Sequence, residues 1–227
     1  MCGRFSFSQS PEAIANLFYV TNLVSIEPRY NIAPSQSVAT ILLSPTSSKR
    51  EFRYLRWGLI PSWAKDRKMG AKLINARSET VMEKPSFKSA FRSRRCLVLA
   101  DGFYEWQRQG TKKQPFHIKM QNSQPFAFAG LWERWQSRAG DIRSGDIKAE
   151  DIKAGEIIET CTILTVEANE LVRPIHHRMP AILRQEDCDR WLAKASNPAD
   201  LLSLLRPYDS EEMTATPVSS QRLAASY

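Results

Sequence analysis

Four apolar segments follow one another in the second half of the chain, with no helical pattern between them. They are CLVLADGFYEW (residues 96–106), PFHIKM (115–120), PFAFAGLWERW (125–135) and CTILTV (161–166). Their β-branched and aromatic residues are typical of consecutive strands. A regular alternation of strands and helices is absent from this order. The segments therefore predict an α+β fold with a mostly antiparallel sheet.

Shorter segments complete the predicted secondary structure. Two further strands are expected over residues 37–43 and 51–60, and a charged loop over 61–81 leads into a turn. Ser10 and Pro11 are typical of a helix start, and they precede the apolar residues of EAIANLF. Other helices are expected over 86–95, 186–193 and 199–208. These helices would lie at the periphery of a strand-rich core.

Length and composition predict one folded domain. The chain has 227 residues, of which 42% are hydrophobic and 25% charged, enough to bury a normal core. We find no signal peptide and no apolar run near the roughly 18 residues of a membrane span, which predicts a cytoplasmic protein. The cysteines (Cys2, Cys96, Cys161, Cys188) lack metal-binding spacing, so free thiols and no metal or other cofactor are expected.

Positive charge is concentrated in one part of the sequence. The net charge is +8, and residues 63–95 hold ten Lys and Arg against three Asp and Glu, a net of +7. Such a segment attracts phosphate backbones and predicts DNA binding that weakens as salt rises. Charge alone, however, favours an ordinary solvated surface.

A five-residue repeat begins at Gly140 and reads GDIRS, GDIKA, EDIKA and GEIIE. A period of five matches neither a helix nor a strand. We interpret residues of about 137–159 as a low-complexity loop insertion between two strands, because surface loops tolerate insertions. No enzymatic role is expected for it.

Cys2 becomes the first residue if Met1 is removed. It then carries an α-amine with a pKa of ~7.7–8.0 and a thiol with a pKa of ~8.5. The amine can condense with an aldehyde to a Schiff base, and the thiol can close onto the imine carbon as a five-membered thiazolidine. Alone, Cys2 would more simply be a buried or tolerated cysteine.

Seven blocks accompany Cys2 and give the chain a family resemblance. In order they are MCGRF, RYNIAPSQ, RWGLIPSW, LINARSET, CLVLADGFYEW, ILTVEAN and IHHRMPAIL. Together they resemble the SRAP family, abasic-site processing proteins that covalently capture abasic sites in single-stranded DNA. The likeness spans roughly residues 2 to 185, apart from the repeat. It implies a single α+β domain, with a curved, barrel-like, mostly antiparallel β core, peripheral helices and a DNA groove.

The resemblance implies four catalytic residues. Cys2 would join the sugar aldehyde, Asn75 would hydrogen-bond the sugar or a developing oxyanion, and Glu105 would transfer protons. The family pattern His-Asp-Arg-Met-Pro or His-Asn-Arg-Met-Pro aligns His176 as a proton shuttle, and His177 occupies the variable position. Glu105 could instead be a charge at a strand edge.

The resemblance also implies a set of DNA-binding residues. Its arginines would bind phosphates and Trp63 would stack on a base, although Trp63 could equally be a core residue. Others would line the pocket. The full set is Arg4, Asn31, Pro34, Trp63, Arg77, Thr165 and Arg178. The expected partner is single-stranded DNA with abasic sites, bound by a monomer that associates with the nucleoid and not with membranes.

Three other functions stay open at this stage. A glutamine amidotransferase of the N-terminal nucleophile type also begins Met-Cys-Gly and would attack a glutamine side chain, but its usual downstream motifs are missing here. An autopeptidase would remove Met1 from the chain itself. A non-enzymatic single-strand binding module would not need Cys2.

Overall fold

The computed structural model of the chain describes residues 2–22, 25–44, 46–47, 49–137, 155–194 and 197–219. Its strands are β1 (Arg4–Phe7), β2 (Arg29–Ile32), β3 (Ser37–Leu43), β4 (Arg50–Trp57), β5 (Asn75–Arg77), β6 (Arg95–Ala100), β7 (Gly102–Gln109), β8 (Lys112–Met120), β9 (Phe126–Gln136), β10 (Ile157–Glu167), β11 (Arg178–Pro180), β12 (Ile182–Leu183) and β13 (Met213–Pro217). Its α-helices are α1 (Pro11–Phe18), α2 (Pro85–Ser93), α3 (Cys188–Leu192) and α4 (Pro198–Leu204). Short 3₁₀ helices span Arg67–Lys72, Ser78–Thr80, Gln185–Asp187 and Ser210–Glu212.

Five strands close into a barrel. The order around the ring is β10, β4, β3, β6 and β9, and β9 pairs again with β10. β10 and β4 are parallel, whereas the other four pairs of the ring are antiparallel. Closure removes the unpaired edges that an open sheet would expose. β6 is buried along its whole length and β9 along most of it, as their apolar sequences require.

Strand β10 connects the barrel to the site. Its first part pairs with β4 and β9, while Ile163, Leu164 and Thr165 pair with β5 in parallel. On the same end of β10, residues 165–167 pair with β11 in the antiparallel sense. The second half of β10 therefore brings together the two short strands that begin with Asn75 and Arg178.

A second sheet packs against the barrel. Its order is β13, β8, β7, β1 and β2, and every pair in it is antiparallel. The ring of Phe128, on β9, contacts Phe5 of β1 at 5.7 Å and Phe103 of β7 at 6.1 Å between centroids, both edge to face. The sheet and the barrel thus share one hydrophobic core.

Capping residues explain where the helices begin. The side chain of Ser10 accepts a hydrogen bond from the amide of Ala13 at the start of α1, and Asn197 does the same for α4. α2 begins at Pro85 and buries Phe87 and Phe91. Among the helices described, none combines the length and apolar character that a membrane crossing requires.

The predicted α+β fold, with a barrel-like, mostly antiparallel core and peripheral helices, is confirmed, but several segments differ from expectation. Residues 96–106 form two strands in different sheets, not one, because the chain turns at Asp101, which accepts hydrogen bonds from Ser6 and Ser8. The expected loop over 61–81 contains β5 and two 3₁₀ helices.

The predicted loop insertion over about 137–159 ends earlier than expected. Residues 157–159 belong to β10, where they pair with β9. Most of the repeat, residues 138–154, lies outside the described residues.

Candidate active site

Cys2 lies two residues before the start of β1 and is fully buried. The side-chain amide of Asn75, the first residue of β5, donates a hydrogen bond of 2.8 Å to the carbonyl of Cys2. The Cys2 sulfur lies 3.6 Å from the carbonyl oxygen of Arg4. These contacts fix the first described residue against a strand 73 positions further along the chain.

Asn75 also presents an acceptor beside Cys2. Its Oδ1 is buried, and no residue in the described part of the chain donates a hydrogen bond to it. Buried polar atoms are nearly always hydrogen-bonded in folded proteins. Since its Nδ2 is already held by Cys2, the Oδ1 of Asn75 is an acceptor suited to a polar group of a ligand.

Glu105 is a buried carboxylate on β7, with 2% of its surface exposed. β7 lies between β8 and β1, so the alternative of a charge at a strand edge is wrong. Burial raises the pKa of the Glu105 carboxyl, and the positive charge of the amino terminus opposes this rise. A carboxyl with a raised pKa can give and take a proton closer to neutral pH.

The Cys2 thiol is held in its protonated form. Burial raises its pKa well above the ordinary value, and the negative charge of Glu105 raises it further. The thiol therefore needs a proton acceptor when it reacts, and Glu105 is close enough to influence its charge.

His176 lies just before β11 and is oriented by Arg178. The backbone amide of Arg178 lies 3.0 Å from Nδ1 of His176, and the Arg178 carbonyl oxygen lies 3.1 Å from the same nitrogen. The His176 and His177 rings stack with centroids 4.5 Å apart. Burial, followed by the charge of the amino terminus, lowers the pKa of His176, while the charge of His176 lowers the pKa of His177.

The four predicted catalytic residues are linked by one direct contact and by charge. Asn75 contacts Cys2 directly, and the charge of Glu105 acts on the Cys2 thiol. The charge of the amino terminus in turn acts on the pKa values of Cys2, Glu105 and His176. Thiol, amide, carboxyl and imidazole come from the segment before β1, from β5, from β7 and from the segment before β11.

The predicted DNA-binding residues fall into an exposed group and a buried group. Trp63 is 52% exposed, so its alternative placement in the core is wrong. Arg77 is exposed, and Pro34 is half-buried. Arg4 donates a hydrogen bond of 3.0 Å to Oδ1 of Asn31, which is itself buried. Asn31, Thr165 and Arg178 form the buried group.

Two pockets flank these residues. One of about 550 Å³ lies beside Trp63 and is bordered by Lys65, Lys68 and Lys72. The other, of about 360 Å³, has Arg77, Arg173 and His177 in its lining, together with Glu167 and Arg178. Positive side chains dominate both, which suits an anionic strand.

The guanidinium group of Arg178 is engaged within the protein. It donates to both carboxylate oxygens of Glu79, at 2.6 and 3.0 Å, and to the backbone oxygen of Thr165 at 2.5 Å. The Arg178 side chain is 8% exposed and that of Glu79 is 50% exposed. Sequence reasoning missed Glu79. Its place in LINARSET, two residues after Arg77, was the available signal.

Comparisons with known proteins agree with this architecture. The family model described as SOS response associated peptidase (SRAP) matches residues 1–222. The abasic site processing protein YoqW of Bacillus subtilis (strain 168) is 44% identical over 225 residues, covering 97% of this chain and 93% of that protein. The abasic site processing protein HMCES of Gallus gallus is 37% identical, and the match covers 85% of this chain and 62% of that protein.

A solved structure supports the same assignment. The crystal structure of a protein from Bacteroides thetaiotaomicron superposes with a TM-score of 0.85 at 30% identity, covering 99% of this chain and 95% of that one. The family match extends over nearly the whole sequence of 227 residues. The chain belongs to the SRAP family.

Proposed function

We propose that this chain processes abasic sites in single-stranded DNA, and that Cys2, after loss of Met1, captures the sugar aldehyde as a thiazolidine. The observation that carries the proposal is the hydrogen bond from Asn75 to Cys2 next to a buried carboxyl whose pKa is raised. The names of the relatives at 44% and 37% identity support the substrate class.

The first step joins nitrogen to carbon. The uncharged α-amine of Cys2 attacks C1′ of the ring-opened deoxyribose, and one proton passes from the nitrogen to the former carbonyl oxygen to give a carbinolamine. The hydroxyl then leaves as water when protonated Glu105 gives it a proton, and a protonated imine remains. Burial raises the pKa of Glu105, so the carboxyl is better able to supply that proton than an exposed glutamate.

The second step closes the ring. The Cys2 sulfur attacks the carbon of the protonated imine while its own proton passes to the Glu105 carboxylate. The π electrons of the C=N bond go to the nitrogen, which becomes a secondary amine. Aldehyde and aminothiol thus give thiazolidine and one water. Because amine and thiol sit on adjacent carbons, the attack is intramolecular and benefits from a high effective concentration.

Asn75 and His176 orient and protonate the sugar in this scheme. The buried Oδ1 of Asn75 accepts a hydrogen bond from a sugar hydroxyl, while its Nδ2 keeps the Cys2 carbonyl in place. His176, whose pKa is lowered, is neutral near pH 7 and can exchange a proton with the sugar oxygen. The same imidazole could assist strand cleavage by β-elimination.

The DNA strand would run across the exposed basic residues. Trp63 offers a ring for base stacking, with Lys65 and Lys72 near it for phosphates. Arg77 lies two residues after Asn75 on β5, on the same face and about 7 Å along the strand, which suits a phosphate next to the captured sugar. Arg178 is bound to Glu79, so its part is structural support at this position.

A crosslinking assay tests the proposal. The protein is incubated with single-stranded DNA treated with uracil-DNA glycosylase, and the products are separated on a denaturing gel. We expect a shifted band from the wild type and from Cys188→Ala, a control at another cysteine, and none from Cys2→Ala. An equal band from Cys2→Ala, or no band from the wild type, would refute it. Retention only in native gels would favour a binding module, and ammonia release from glutamine would favour an amidotransferase.

A further inference from the structure

The backbone of Arg178 offers His176 a partner in both protonation states. When Nδ1 of His176 carries no proton, the Arg178 amide can donate to it across 3.0 Å. When Nδ1 is protonated, it can donate to the Arg178 carbonyl oxygen across 3.1 Å. The ring can thus gain or lose a proton without rotating, provided that residue 178 stays in place.

Hydrogen bonds of its side chain hold the backbone of Arg178 in place. Glu79 binds the guanidinium through both carboxylate oxygens, a geometry that fixes direction as well as distance. The Thr165 carbonyl accepts a third hydrogen bond from the same group. Arg178 also pairs with Glu167 in the β10–β11 ladder, so the clamp acts on a short strand of three residues.

We propose that Glu79 is a positioning residue for the reaction at Cys2, because through Arg178 it holds the backbone amide and carbonyl that orient the imidazole of His176. This inference rests on the proposed function for its catalytic consequence. Its structural part, the orientation of the ring, is open to measurement in the protein without DNA.

Charge gives Glu79 a second effect on the same ring. The positive charge of Arg178 lowers the pKa of His176, and Glu79 offsets that charge. The other charged groups around the His176–His177 pair are the amino terminus, Glu105 from β7 and Arg77 from β5, together with Glu167 of β10 and Arg173, which share a pocket with His177. Only Glu79 acts on Arg178 by direct contact among the carboxylates described. Its neutralisation should therefore lower the pKa of His176 further.

The test uses nitrogen-15 NMR of histidine-labelled protein, which is simple because the chain has three histidines. In the wild type, we expect the neutral His176 ring to carry its proton on Nε2. In Glu79→Gln we expect a mixture of tautomers and a titration midpoint lower by about half a pH unit. The control is Glu212→Gln, which removes another arginine-bound carboxylate, at 3.3 Å from Arg184. It should leave His176 unchanged.

Kinetics give the catalytic consequence. In Glu79→Gln, crosslinking at pH 7 should slow about threefold, and the acid limb of its pH profile should move to lower pH together with the NMR midpoint. Glu79→Asp, which keeps the charge, should restore the midpoint. If Glu79→Gln does not fold, Glu79→Ala takes its place with the same expected mixture of tautomers and the same lower midpoint. An unchanged tautomer and midpoint in Glu79→Gln would overturn the proposal. Absence of crosslinking in the wild type would instead count against the proposed function and leave the NMR result standing.

Discussion

The barrel and the second sheet differ in how they bury charge. In the barrel, the buried stretches of β6 and β9 are mostly aliphatic and aromatic, and the buried carboxylate of Glu133 is paired with Arg94 at 2.8 Å. In the second sheet, β1 and β7 carry buried polar groups between their aromatic residues. Ser6 donates to Asp101 at 2.6 Å and lies 3.2 Å from Nε2 of His117, and Glu105 is nearly inaccessible to solvent.

This difference indicates that the barrel and the second sheet have different roles, although they share one hydrophobic core. Burying a carboxyl is unfavourable unless its charge is compensated or removed by protonation. The barrel supplies apolar burial and a closed hydrogen-bond ring, which stabilise the fold. Under the proposed function, the second sheet accepts the cost of Glu105 because the raised pKa of that group would serve proton transfer.

Glu105→Gln should have the largest effect on activity. The substitution keeps the shape of the side chain but removes its ability to exchange a proton. Because positioned general acids and bases contribute about 100- to 10,000-fold, we expect crosslinking to slow by that order. Timed quenching on denaturing gels measures the rate. Glu133→Gln, a buried carboxylate paired with Arg94 at the barrel, is the control and should crosslink normally once folded.

Glu105→Gln should also be more stable than the wild type. The pKa of Glu105 is raised in the folded protein, so its favourable contribution is fully present below the unfolded pKa of ~4.5 and is lost as pH rises through the folded value. Glutamine does not titrate. The advantage of Glu105→Gln in urea denaturation should therefore grow as pH rises from 4 and then level off, and an advantage that shrinks with pH would contradict this picture.

Leu97→Ala should have the largest effect on stability with little effect on chemistry. Leu97 is fully buried on β6 of the barrel, and truncating such a leucine costs about 2–5 kcal/mol through lost burial and the cavity left behind. Urea denaturation measures the loss. Ile157→Ala, at an exposed position of β10, should cost much less. If Leu97→Ala slowed crosslinking of the folded fraction tenfold, the packing of the barrel and the reactivity of the site would not be independent.

Trp63→Ala should have a smaller effect, confined to DNA binding. Stacking of one base on an aromatic ring contributes about 1–3 kcal/mol, and the exposed side chain adds little to stability. Fluorescence anisotropy with undamaged single-stranded DNA measures the affinity. Tyr54→Ala removes another exposed aromatic ring, on β4, and should bind as the wild type does. Equal losses in both variants would exclude a specific stacking site.

The sequence predicted the long strands well and the short ones badly. β9 is long and apolar, so its local pattern is sufficient, whereas the pattern of β10 revealed only its buried part from Cys161 onward. β5 has only three residues inside a charged segment, and it forms because β10 offers a parallel partner far along the chain. The break at Asp101 depends on contacts with Ser6 and Ser8, which a local pattern cannot reveal.

The candidate site likewise has residues that the sequence predicted and contacts that it could not reveal. Motifs were enough to nominate Cys2, Asn75 and Glu105, because each block carries its own chemistry. The bond between Glu79 and Arg178 joins residues 99 positions apart, and the phosphate-binding role expected of Arg178 took no account of that pairing. Exposure of Trp63 was likewise a question of tertiary structure, which its motif left open.

Mass spectrometry of the crosslinked tryptic peptide tests the central claim most directly. Trypsin cleaves after Arg4, so the reacted chain should yield a three-residue peptide from Cys2 to Arg4. If Cys2 forms a thiazolidine, this peptide should carry the abasic sugar less one water, with both the nitrogen and the sulfur of Cys2 blocked to alkylation. A peptide that retains Met1, or a sugar attached to a lysine elsewhere, would contradict it.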